Sequence, residues 1–210
     1  MLRILIPARG GSKRIKNKNL LKIKGETLLA KAIKTSLLIT NEVYVSTDSS
    51  DIMEEALLNG AKVHKRPQKY STDTSPTKET IVDFLNNYPN TTNLALIQCT
   101  SPFIDINHLK LAINKLDTYS SIISVYKETP FYWEETPSTA IAKYNVYNKP
   151  RTQDMSPLYK ETGAFYVFKV SSFKTNKTIT PPPTYLVKVD LKSSFDIDTL
   201  EEYELIKSIK

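Results

Sequence analysis

The sequence predicts an α/β fold in which helices cover both faces of a mostly parallel sheet. Apolar runs rich in β-branched residues alternate along the chain with segments whose apolar residues recur at helical spacing. One of these runs, Leu94–Ile97, is apolar throughout, which is typical of a strand buried on both faces. Several runs end in small polar or charged residues, as expected where parallel strands present their loops at one ligand-binding edge.

Each predicted element follows from a local pattern. The first strand is the apolar run Leu2–Ile6, and the first helix is Glu26–Leu38, which has one apolar face. Asp48–Asp51 offers an N-cap for a second helix, which Gly60 ends. The other predicted strands are Glu42–Ser46, Ala61–Lys65, Leu94–Ile97, Ser121–Val125, Gly163–Phe168 and Tyr185–Val189. The other predicted helices are Thr77–Tyr88, Asp105–Leu116 and Leu200–Ile209.

The alternation of strands and helices is interrupted once. Residues 127–157 are rich in Pro, Glu, Tyr and Thr, and we interpret them as an excursion from a single domain that spans residues 1–210. Within the excursion, Phe131–Trp133 predicts either a small local core or a contact between subunits. The contact is favoured because Trp and Tyr are enriched at protein interfaces.

The positive charge of the chain is concentrated near its first residues. The 210 residues carry a formal net charge of +7. Residues 1–40 alone hold ten Lys and Arg against the single acid Glu26, a local charge of +9. A nucleic-acid-binding protein usually spreads its basic surface over a face or a tail. A focused excess instead favours a compact polyanion, such as a nucleoside triphosphate.

The composition argues against a membrane protein and for a reducing compartment. No run of 18 apolar residues occurs, so no membrane span is predicted. No signal peptide is visible at the start of the sequence. The single cysteine, Cys99, excludes an internal disulfide and is typical of a cytoplasmic protein. We therefore expect a cytoplasmic location and a small buried side chain at Cys99.

The loop after the first strand is the main candidate site. Gly10–Gly11 lets the backbone turn sharply and approach a ligand closely. Backbone N–H groups in such a loop, with Arg and Lys beside them, form a seat for a polyphosphate. The alternative is a basic loop that is merely solvated. The cations of the loop are Arg9, Lys13, Arg14, Lys16 and Lys18.

Polar residues follow three further strands. Ser46–Asp48 predicts a functional strand end or only the cap of the next helix. Arg66 and Ser71–Ser75 could bond a base or a ribose, or the hydroxyls could cap the helix that begins at Thr77. Gln98 ends a buried strand, where it is well placed to bond a polar substrate. A satisfied loop amide is the alternative for Gln98.

Asp196 and Asp198 form the last polar cluster. Their spacing places both carboxylates on one side of an extended segment, and oxygen ligands of this kind suit Mg2+. The alternative is that Asp198 caps the final helix and Asp196 is exposed. Beside a polyphosphate loop the metal interpretation is favoured, because a triphosphate in a cationic cleft needs a divalent ion to bridge its oxygens.

Several other nucleotide and metal motifs are absent from the sequence. Without Gly-x-x-x-x-Gly-Lys-Ser/Thr the chain is not a P-loop NTPase, and without Gly-x-Gly-x-x-Gly a dinucleotide site is disfavoured. His64 and His108 are isolated, and zinc-ligand spacing does not occur. Both are expected to be ordinary histidines.

In their order, the motifs resemble those of cytidylyltransferases that activate sialic acid and related nine-carbon acids. The loop Ile6–Asn19 resembles the signature loop of that family, and the resemblance covers nearly the whole chain. Arg14 and Thr77 depart from the pattern, since sialic acid members commonly have Gly and Ser there. The other matching segments are Val45–Asp48, Arg66–Pro67, Asp73–Thr74, Ile97–Pro102, Lys149–Asp154, Glu161–Tyr166 and Asp196–Asp198.

The resemblance implies a fold, a reaction and partners. The fold is a Rossmann-like nucleotide-diphospho-sugar transferase fold, with a mostly parallel mixed sheet and a homodimer built partly from the excursion. The reaction is transfer of CMP from CTP to the anomeric hydroxyl of a nonulosonic acid, with Mg2+ as cofactor. Neither a nucleic acid nor a membrane is implied as a partner.

The resemblance also implies roles for ten side chains. Phosphates are expected at Arg9, Lys13 and Lys18. Arg151 is expected to come from the partner subunit and to face the substrate carboxylate. The implied catalytic residues are Arg9, Lys18, Asp196 and Asp198, of which the last two also hold Mg2+. The implied substrate-binding residues are Lys13, Asn19, Arg66 and Thr77 for the nucleotide, and Gln98 and Arg151 for the sugar acid.

Three alternatives stay open from the sequence. The acceptor could be another sugar, such as a Kdo-type acid or a sugar phosphate. A pI near 9.2 also fits a basic nucleic-acid-binding module, which predicts affinity that falls steeply with salt. A catalytically silent relative is disfavoured by the intact polar residues at the strand ends.

Overall fold

A seven-stranded sheet forms the centre of the molecule. The structure, a computed structural model, describes residues 1–128 and 131–209. The described strands are β1 (Leu2–Pro7), β2 (Lys22–Ile23), β3 (Glu26–Thr27), β4 (Val43–Thr47), β5 (Lys62–Lys65), β6 (Asn93–Ile97), β7 (Ser121–Glu128), β8 (Trp133–Glu135), β9 (Ala140–Ala142), β10 (Leu158–Lys169) and β11 (Thr184–Lys188). The described α-helices are α1 (Leu28–Leu37), α2 (Ser50–Leu58), α3 (Thr77–Asn87), α4 (Ile106–Asn114), α5 (Val170–Asn176) and α6 (Leu200–Ser208).

The sheet is mostly parallel, as predicted, with one antiparallel strand in its interior. The strand order is β11-β7-β10-β6-β1-β4-β5. β1 pairs in parallel with β4 and β6, β4 with β5, and β11 with β7. β10 runs antiparallel to both β6 and β7. The carboxyl ends of β1, β4, β5 and β6 therefore lie at one edge of the sheet, where α/β proteins bind ligands.

Helices pack on both faces of the sheet, because successive side chains of its central strands point to opposite faces. Ile4 and Ile6 of β1 are fully buried in a cluster with residues of α1, α2, α4 and α6. Leu5 between them is fully buried in a second cluster with α3 and α5. The predicted fold class is thus confirmed. No helix of the described residues is long and apolar enough to cross a membrane.

Short elements account for the differences from the predicted order. Strand β3 of the hairpin β2–β3 takes Glu26 and Thr27, which were expected to open the first helix. That helix begins at Leu28, because the Thr27 hydroxyl accepts a hydrogen bond from the Ala30 amide (2.9 Å). α5 was not predicted, since its seven residues are too few for a clear helical period. The largest boundary error is at β10, which begins at Leu158 rather than Gly163.

The excursion begins later than predicted, because Glu128 of β7 still pairs with Leu158 of β10. Between those strands the described residues form the hairpin β8–β9 and a single helical turn at Thr152–Asp154. Residues 129 and 130 of the predicted excursion lie outside the described residues. Tyr132 and Trp133 are 51% and 57% exposed, so the aromatic run is not a buried local core. A subunit contact there stays a prediction.

Candidate active site

The carboxyl ends of β1, β5 and β6 open onto one cavity of about 600 Å³, called here the first cavity. Strand β10 and the segment between β11 and α6 complete its walls. A single cleft therefore collects side chains from both ends of the chain, while their chemical roles stay predictions. Nine of the ten predicted site residues line it, namely Arg9, Lys13, Lys18, Asn19, Arg66, Thr77, Gln98, Asp196 and Asp198.

The basic loop is held against the start of α2. The Gly10 amide donates a hydrogen bond to Asp48 Oδ1 (3.0 Å), so Asp48 binds the loop. The N-cap of α2 is Ser49, within the predicted capping segment Asp48–Asp51, although its side chain makes no capping bond. A Cβ at Gly10 would lie 2.8 Å from Ser49 Cβ, whereas one at Gly11 would meet nothing within 4 Å. Close packing thus requires glycine only at the first of the two positions.

Two cations of the loop share one carboxylate. Asp73 accepts a hydrogen bond from Arg9 (2.6 Å) and lies 2.9 Å from Lys13 Nζ. Hydrogen bonds from Lys13 and then Arg9 hold the pKa of Asp73 below its usual value. The Lys13 and Asp73 side chains are 72% and 35% exposed. Ion pairs with that exposure are weak, so a polyanion can displace the carboxylate.

Asp198 faces the other end of the basic loop. Its carboxylate lies 3.0 Å from Lys18 Nζ and 3.1 Å from Arg14 Nη1. Partial burial works to raise the pKa of Asp198, but the hydrogen bonds and charges of Lys18 and Arg14 outweigh burial and lower it. Asp196, the second acid, accepts a hydrogen bond from the Ser101 hydroxyl (3.3 Å).

The arrangement of the two acids fits a metal rather than the alternative roles. Thr199 caps α6 in a reciprocal capping box with Glu202, so Asp198 is not the cap, and Asp196 is half-buried. In residues 1–128 and 131–209, no group of three or more His, Cys, Asp or Glu side chains could hold a metal ion. Two carboxylates beside a cavity lined by Arg and Lys still fit Mg2+, an ion that usually takes one or two carboxylates and fills the rest of its shell with water and substrate oxygens.

Asn19 is fixed in the cavity wall by Cys99. The Cys99 thiol donates a hydrogen bond to Asn19 Oδ1 (3.0 Å), and Asn19 Nδ2 donates one to the Arg9 carbonyl (3.1 Å). Cys99 is buried, as predicted, and burial raises the pKa of its thiol to about 12. The thiol is therefore protonated at neutral pH and acts as a donor, because only a thiolate is a strong nucleophile.

Arg66 is the buried cation of the first cavity. It is 9% exposed, and its Nε and Nη2 donate hydrogen bonds to the Ser46 hydroxyl (3.1 Å) and the Ser46 carbonyl (2.6 Å). Burial lowers the pKa of Arg66 to about 10, so the guanidinium is still charged at neutral pH. In the described part of the chain Arg66 forms no ion pair, which leaves its charge available to a ligand.

Arg151 is the one predicted site residue outside the first cavity. It lies at the end of the excursion, where its Nε donates a hydrogen bond to Asp154 Oδ2 (2.7 Å). Its side chain is 74% exposed. Arg151 thus lines neither cavity of its own chain, and its approach to a partner subunit's substrate stays a prediction.

A second cavity of about 610 Å³ adjoins the first. Its walls come from β7, the first half of β10, and α6. Gly163 (φ +76°) and a shift of register between Glu161 and Tyr166 bulge β10 at this point. Sequence reasoning missed this cavity, because residues 158–162 of β10 were not predicted as a strand and the pairing of β10 with β7 leaves no local signal. The residues common to both cavities are Gly163, Tyr166, Asp196 and Asp198.

Comparison with known protein families gives the deciding observation. Residues 3–210 match the family described as Cytidylyltransferase. This chain belongs to the cytidylyltransferase family. The match extends from the basic loop to the last helix, so it includes every residue that lines the first cavity. The resemblance recognised in the sequence motifs is therefore confirmed.

Named relatives of this cytidylyltransferase come from vertebrates and bacteria. N-acylneuraminate cytidylyltransferase B of Danio rerio is 33% identical over 209 residues, which cover 92% of this chain and 48% of the relative. The pseudaminic acid cytidylyltransferase of Campylobacter jejuni is 29% identical over 217 residues, which cover 97% of this chain and 93% of the relative. The chain thus spans about half the length of the N-acylneuraminate cytidylyltransferases it matches.

Two solved structures of other proteins share the fold. CMP:2-keto-3-deoxy-manno-octonic acid synthetase in complex with CTP has a TM-score of 0.69, covers 99% of this chain and 97% of its own, and is 16% identical. A 4-diphosphocytidyl-2C-methyl-D-erythritol synthase from Anaerococcus prevotii has a TM-score of 0.70 at 13% identity, and covers 99% of this chain and 94% of its own. At such low identities the likeness establishes the Rossmann-like architecture alone.

Proposed function

We propose that this cytidylyltransferase transfers CMP from CTP to the anomeric hydroxyl of a sialic acid-like nonulosonic acid and releases pyrophosphate. The observation that carries the proposal is the meeting of two cavities at Asp196 and Asp198, with the basic loop in the first. A transfer between two bound molecules requires two adjoining sites. The names of the relatives, which include N-acylneuraminate and pseudaminic acid cytidylyltransferases, support the class of acceptor.

CTP occupies the first cavity in this proposal. Arg9 and Lys13 line one wall and supply positive charge for the triphosphate. Arg66 and Thr77 line the side formed by β5 and α3, and they are assigned to the cytidine. Asn19 positions the nucleotide with an amide whose orientation the protein already sets. Because these groups are fixed in advance, they orient the α-phosphate for attack.

The nonulosonic acid occupies the second cavity. Gln98 lines the first cavity, and its backbone N–H donates a hydrogen bond to the Ala164 carbonyl (3.0 Å) beside the shared Gly163. Its side chain is assigned to the acceptor where the two cavities meet. Tyr166, also shared, donates a hydrogen bond from its hydroxyl to Glu161 Oε2 (3.0 Å). Because the two cavities share a wall at Gly163 and Tyr166, an acceptor bound in the second cavity has its anomeric hydroxyl beside the α-phosphate of CTP bound in the first.

Asp196 and Asp198 are assigned to Mg2+. Mg2+ held there would supply positive charge that offsets the charge developing on the departing pyrophosphate. Lys18 holds the segment in place, because its Nζ donates to Asp198 Oδ1 and to the Ile197 carbonyl (both 3.0 Å). Since Lys18 and Arg14 already neutralise Asp198, Asp196 is the less compensated of the two acids.

The anomeric oxygen attacks the α-phosphorus in line with the departing pyrophosphate. A new oxygen–phosphorus bond forms while the bond from the α-phosphorus to the bridging oxygen breaks, and pyrophosphate leaves with that electron pair. Asp196 accepts the hydroxyl proton, directly or through a water molecule. Arg9 and Lys13 take up the charge of the leaving group after they exchange Asp73 for phosphate oxygens.

A homodimer completes the proposed site. An anionic acceptor that meets a triphosphate needs a cation of its own, and Arg151 on the exposed excursion is assigned to the partner subunit's acceptor. Tyr132 and Trp133 offer exposed aromatic area for the subunit contact. A cytoplasmic location belongs to the same proposal, because the free thiol of Cys99 needs no oxidising compartment.

A pyrophosphate-release assay with CTP, Mg2+ and single acceptors tests the function. We expect release with a sialic, legionaminic or pseudaminic acid and none without an acceptor. A Kdo-type acid is the second candidate, since the solved synthetase named for that acid has the same fold. Release with Kdo alone would select that candidate, and release with none of these acids would overturn the proposal. Salt-sensitive binding of DNA or RNA without turnover would support the nucleic-acid alternative.

A further inference from the structure

A chain of buried polar side chains lies behind Arg66. Ser46 of β4, whose hydroxyl accepts the hydrogen bond from Arg66 Nε (3.1 Å), lies 2.9 Å from His64 Nδ1 on β5. His64 Nε2 lies 3.1 Å from Asp83 Oδ2 on α3. Ser46 is fully buried and His64 is 4% exposed. None of Ser46, His64 and Asp83 lines the first cavity or has a part in the reaction described above.

The donor and acceptor atoms of these side chains determine which way each hydrogen bond runs. Arg66 Nε can only donate, so the Ser46 hydroxyl accepts from it and is free to donate its own proton to His64 Nδ1. The imidazole then carries its proton on Nε2, opposite the Asp83 carboxylate. His64 Nε2 and Asp83 Oδ2 are both buried, and neither makes a hydrogen bond of good geometry among the described residues, so their 3.1 Å approach is a close contact between ring and carboxylate. Burial lowers the pKa of His64, with Asp83 opposing and Arg66 adding to the effect, which agrees with a neutral ring.

The same three residue types form the nucleophilic triad of serine hydrolases, but these three side chains cannot act as such a triad. The Ser46 hydroxyl has no exposed surface from which to attack a substrate. It also already accepts a hydrogen bond from Arg66, so its lone pairs serve the guanidinium. The series of hydrogen-bonded side chains therefore leads to Arg66 and to the cavity that Arg66 lines.

We propose that Ser46, His64 and Asp83, called here the relay, are positioning residues that fix the Arg66 guanidinium in the first cavity. This inference rests on the proposed binding of CTP there. Ser46 holds Nε and Nη2 through its hydroxyl and its carbonyl, which leaves Nη1 available to the nucleotide. A guanidinium that is fixed before the ligand arrives loses less conformational freedom on binding. Asp83 also ties Arg66 to α3, whose first turns line the same cavity.

The proton on His64 provides a test that needs no ligand. The chain has two histidines, so long-range proton–nitrogen NMR of the imidazoles gives two ring patterns, and a His108→Asn variant assigns them. At pH 7 we expect a neutral His64 ring with its proton on Nε2. A ring protonated on Nδ1, or a doubly protonated ring at that pH, would overturn the relay.

Kinetics of Asp83 variants test the effect on the nucleotide. Asp83→Ala removes the carboxylate that faces the imidazole, and KM for CTP is expected to rise about tenfold with kcat nearly unchanged. Asp83→Asn keeps an acceptor oxygen and is expected to restore a KM close to that of the wild type. Glu79→Ala, which removes the same charge one turn earlier in α3, is the matched control. An Asp83→Ala enzyme with the KM of the wild type would overturn the relay.

Failure of the relay and failure of the proposed function have different signatures. Calorimetric titration of the wild-type protein with CTP tests a requirement of the proposed function, and absence of binding would overturn it. The NMR pattern of His64 decides the relay whether or not CTP binds, and also if Asp83→Ala does not fold. Binding of CTP together with a proton on Nδ1 of His64 would leave the proposed function standing and remove the relay.

Discussion

A substitution at Arg9 tests most directly whether the positive charge of the basic loop supports turnover. Its guanidinium lines the first cavity and is held there by Asp73. In Arg9→Ala we expect turnover to fall by about 10²–10³-fold, the effect of losing one preorganised charge-stabilising donor. Pyrophosphate release at saturating substrates measures it. Lys16→Ala removes an exposed cation of the same loop and is the matched control; equal turnover in both variants would argue against the assigned role.

The places of the polar residues were predictable from the sequence, but their partners were not. Gln98 and Arg66 reach one cavity because the carboxyl ends of parallel strands share an edge. Asp73 lies 64 positions from Arg9, and the pair depends on how two loops pack, which no local pattern encodes. The bond from Cys99 to Asn19, 80 positions away, was hidden for the same reason.

The junction between the basic loop and α2 is tested by its two glycines. A Cβ at Gly10 would lie 2.8 Å from Ser49 Cβ, so Gly10→Ala must move the loop away from α2. We expect unfolding free energy to fall by about 1–3 kcal/mol, as overpacked sites show, together with weaker CTP binding. Gly11→Ala is the control, because a Cβ there meets nothing within 4 Å and its φ is not left-handed. Urea denaturation compares them; equal loss in both would refute the packing argument.

Glu42 joins three strands at the edge opposite the first cavity. Its carboxylate binds Arg3 of β1 (3.2 Å), Tyr44 of β4 (2.9 Å) and Lys62 of β5. The hydrogen bonds of Lys62 and then Tyr44 keep the pKa of Glu42 below its ordinary 4.5. A lowered folded-state pKa stabilises the fold fully above pH 4.5, and this stability is lost as the pH falls through the lowered value.

The expected outcome for Glu42→Gln is a loss of about 0.5–1 kcal/mol of unfolding free energy at pH 7, as for partly exposed ion pairs. The difference from the wild type is expected to shrink as the pH falls below 4.5. Urea denaturation at pH 7 and pH 3.5 measures both values. Turnover is expected to be unchanged, because the carboxylate lies at the far edge of the sheet. A difference of equal size at the two pH values would contradict the pKa argument.

Strands and longer helices were predictable because their apolar periods are clear. α3 and α6 begin at the predicted residues, Thr77 and Leu200. The hairpin β2–β3 and the helix α5 were not predicted, since two or seven residues carry too little of a period. The first half of β10 was not predicted as a strand, because its residues are mostly polar and show no apolar alternation. Several of them line the second cavity.

At the scale of the whole molecule, the fold class was predictable and the strand order was not. Alternating strands and helices require a mostly parallel sheet. The insertion of β10 between β6 and β7 depends on pairings between distant segments, such as Phe165 with Ile97. No local signal marks such a pairing, although it places Gly163 and Tyr166 between the two cavities.

The proposed homodimer is tested by mixing two inactive variants. Lys18→Met disables the first cavity of its own chain, and Arg151→Ala removes the cation that the excursion is proposed to offer to its partner. A mixed dimer contains one site with both residues intact, so re-equilibrated mixtures are expected to recover about a quarter of the wild-type turnover. Analytical ultracentrifugation verifies the dimer. Mixtures that stay inactive would place Arg151 outside the partner's site.

The contact between Lys18 and Asp198 joins residues 180 positions apart in the chain. During synthesis the amino-terminal residues leave the ribosome long before their carboxylate partner is translated. A nascent polypeptide can therefore display the basic loop but cannot close it against the late acids. Under the proposed function, a product of interrupted translation that lacks Asp198 would therefore be inert.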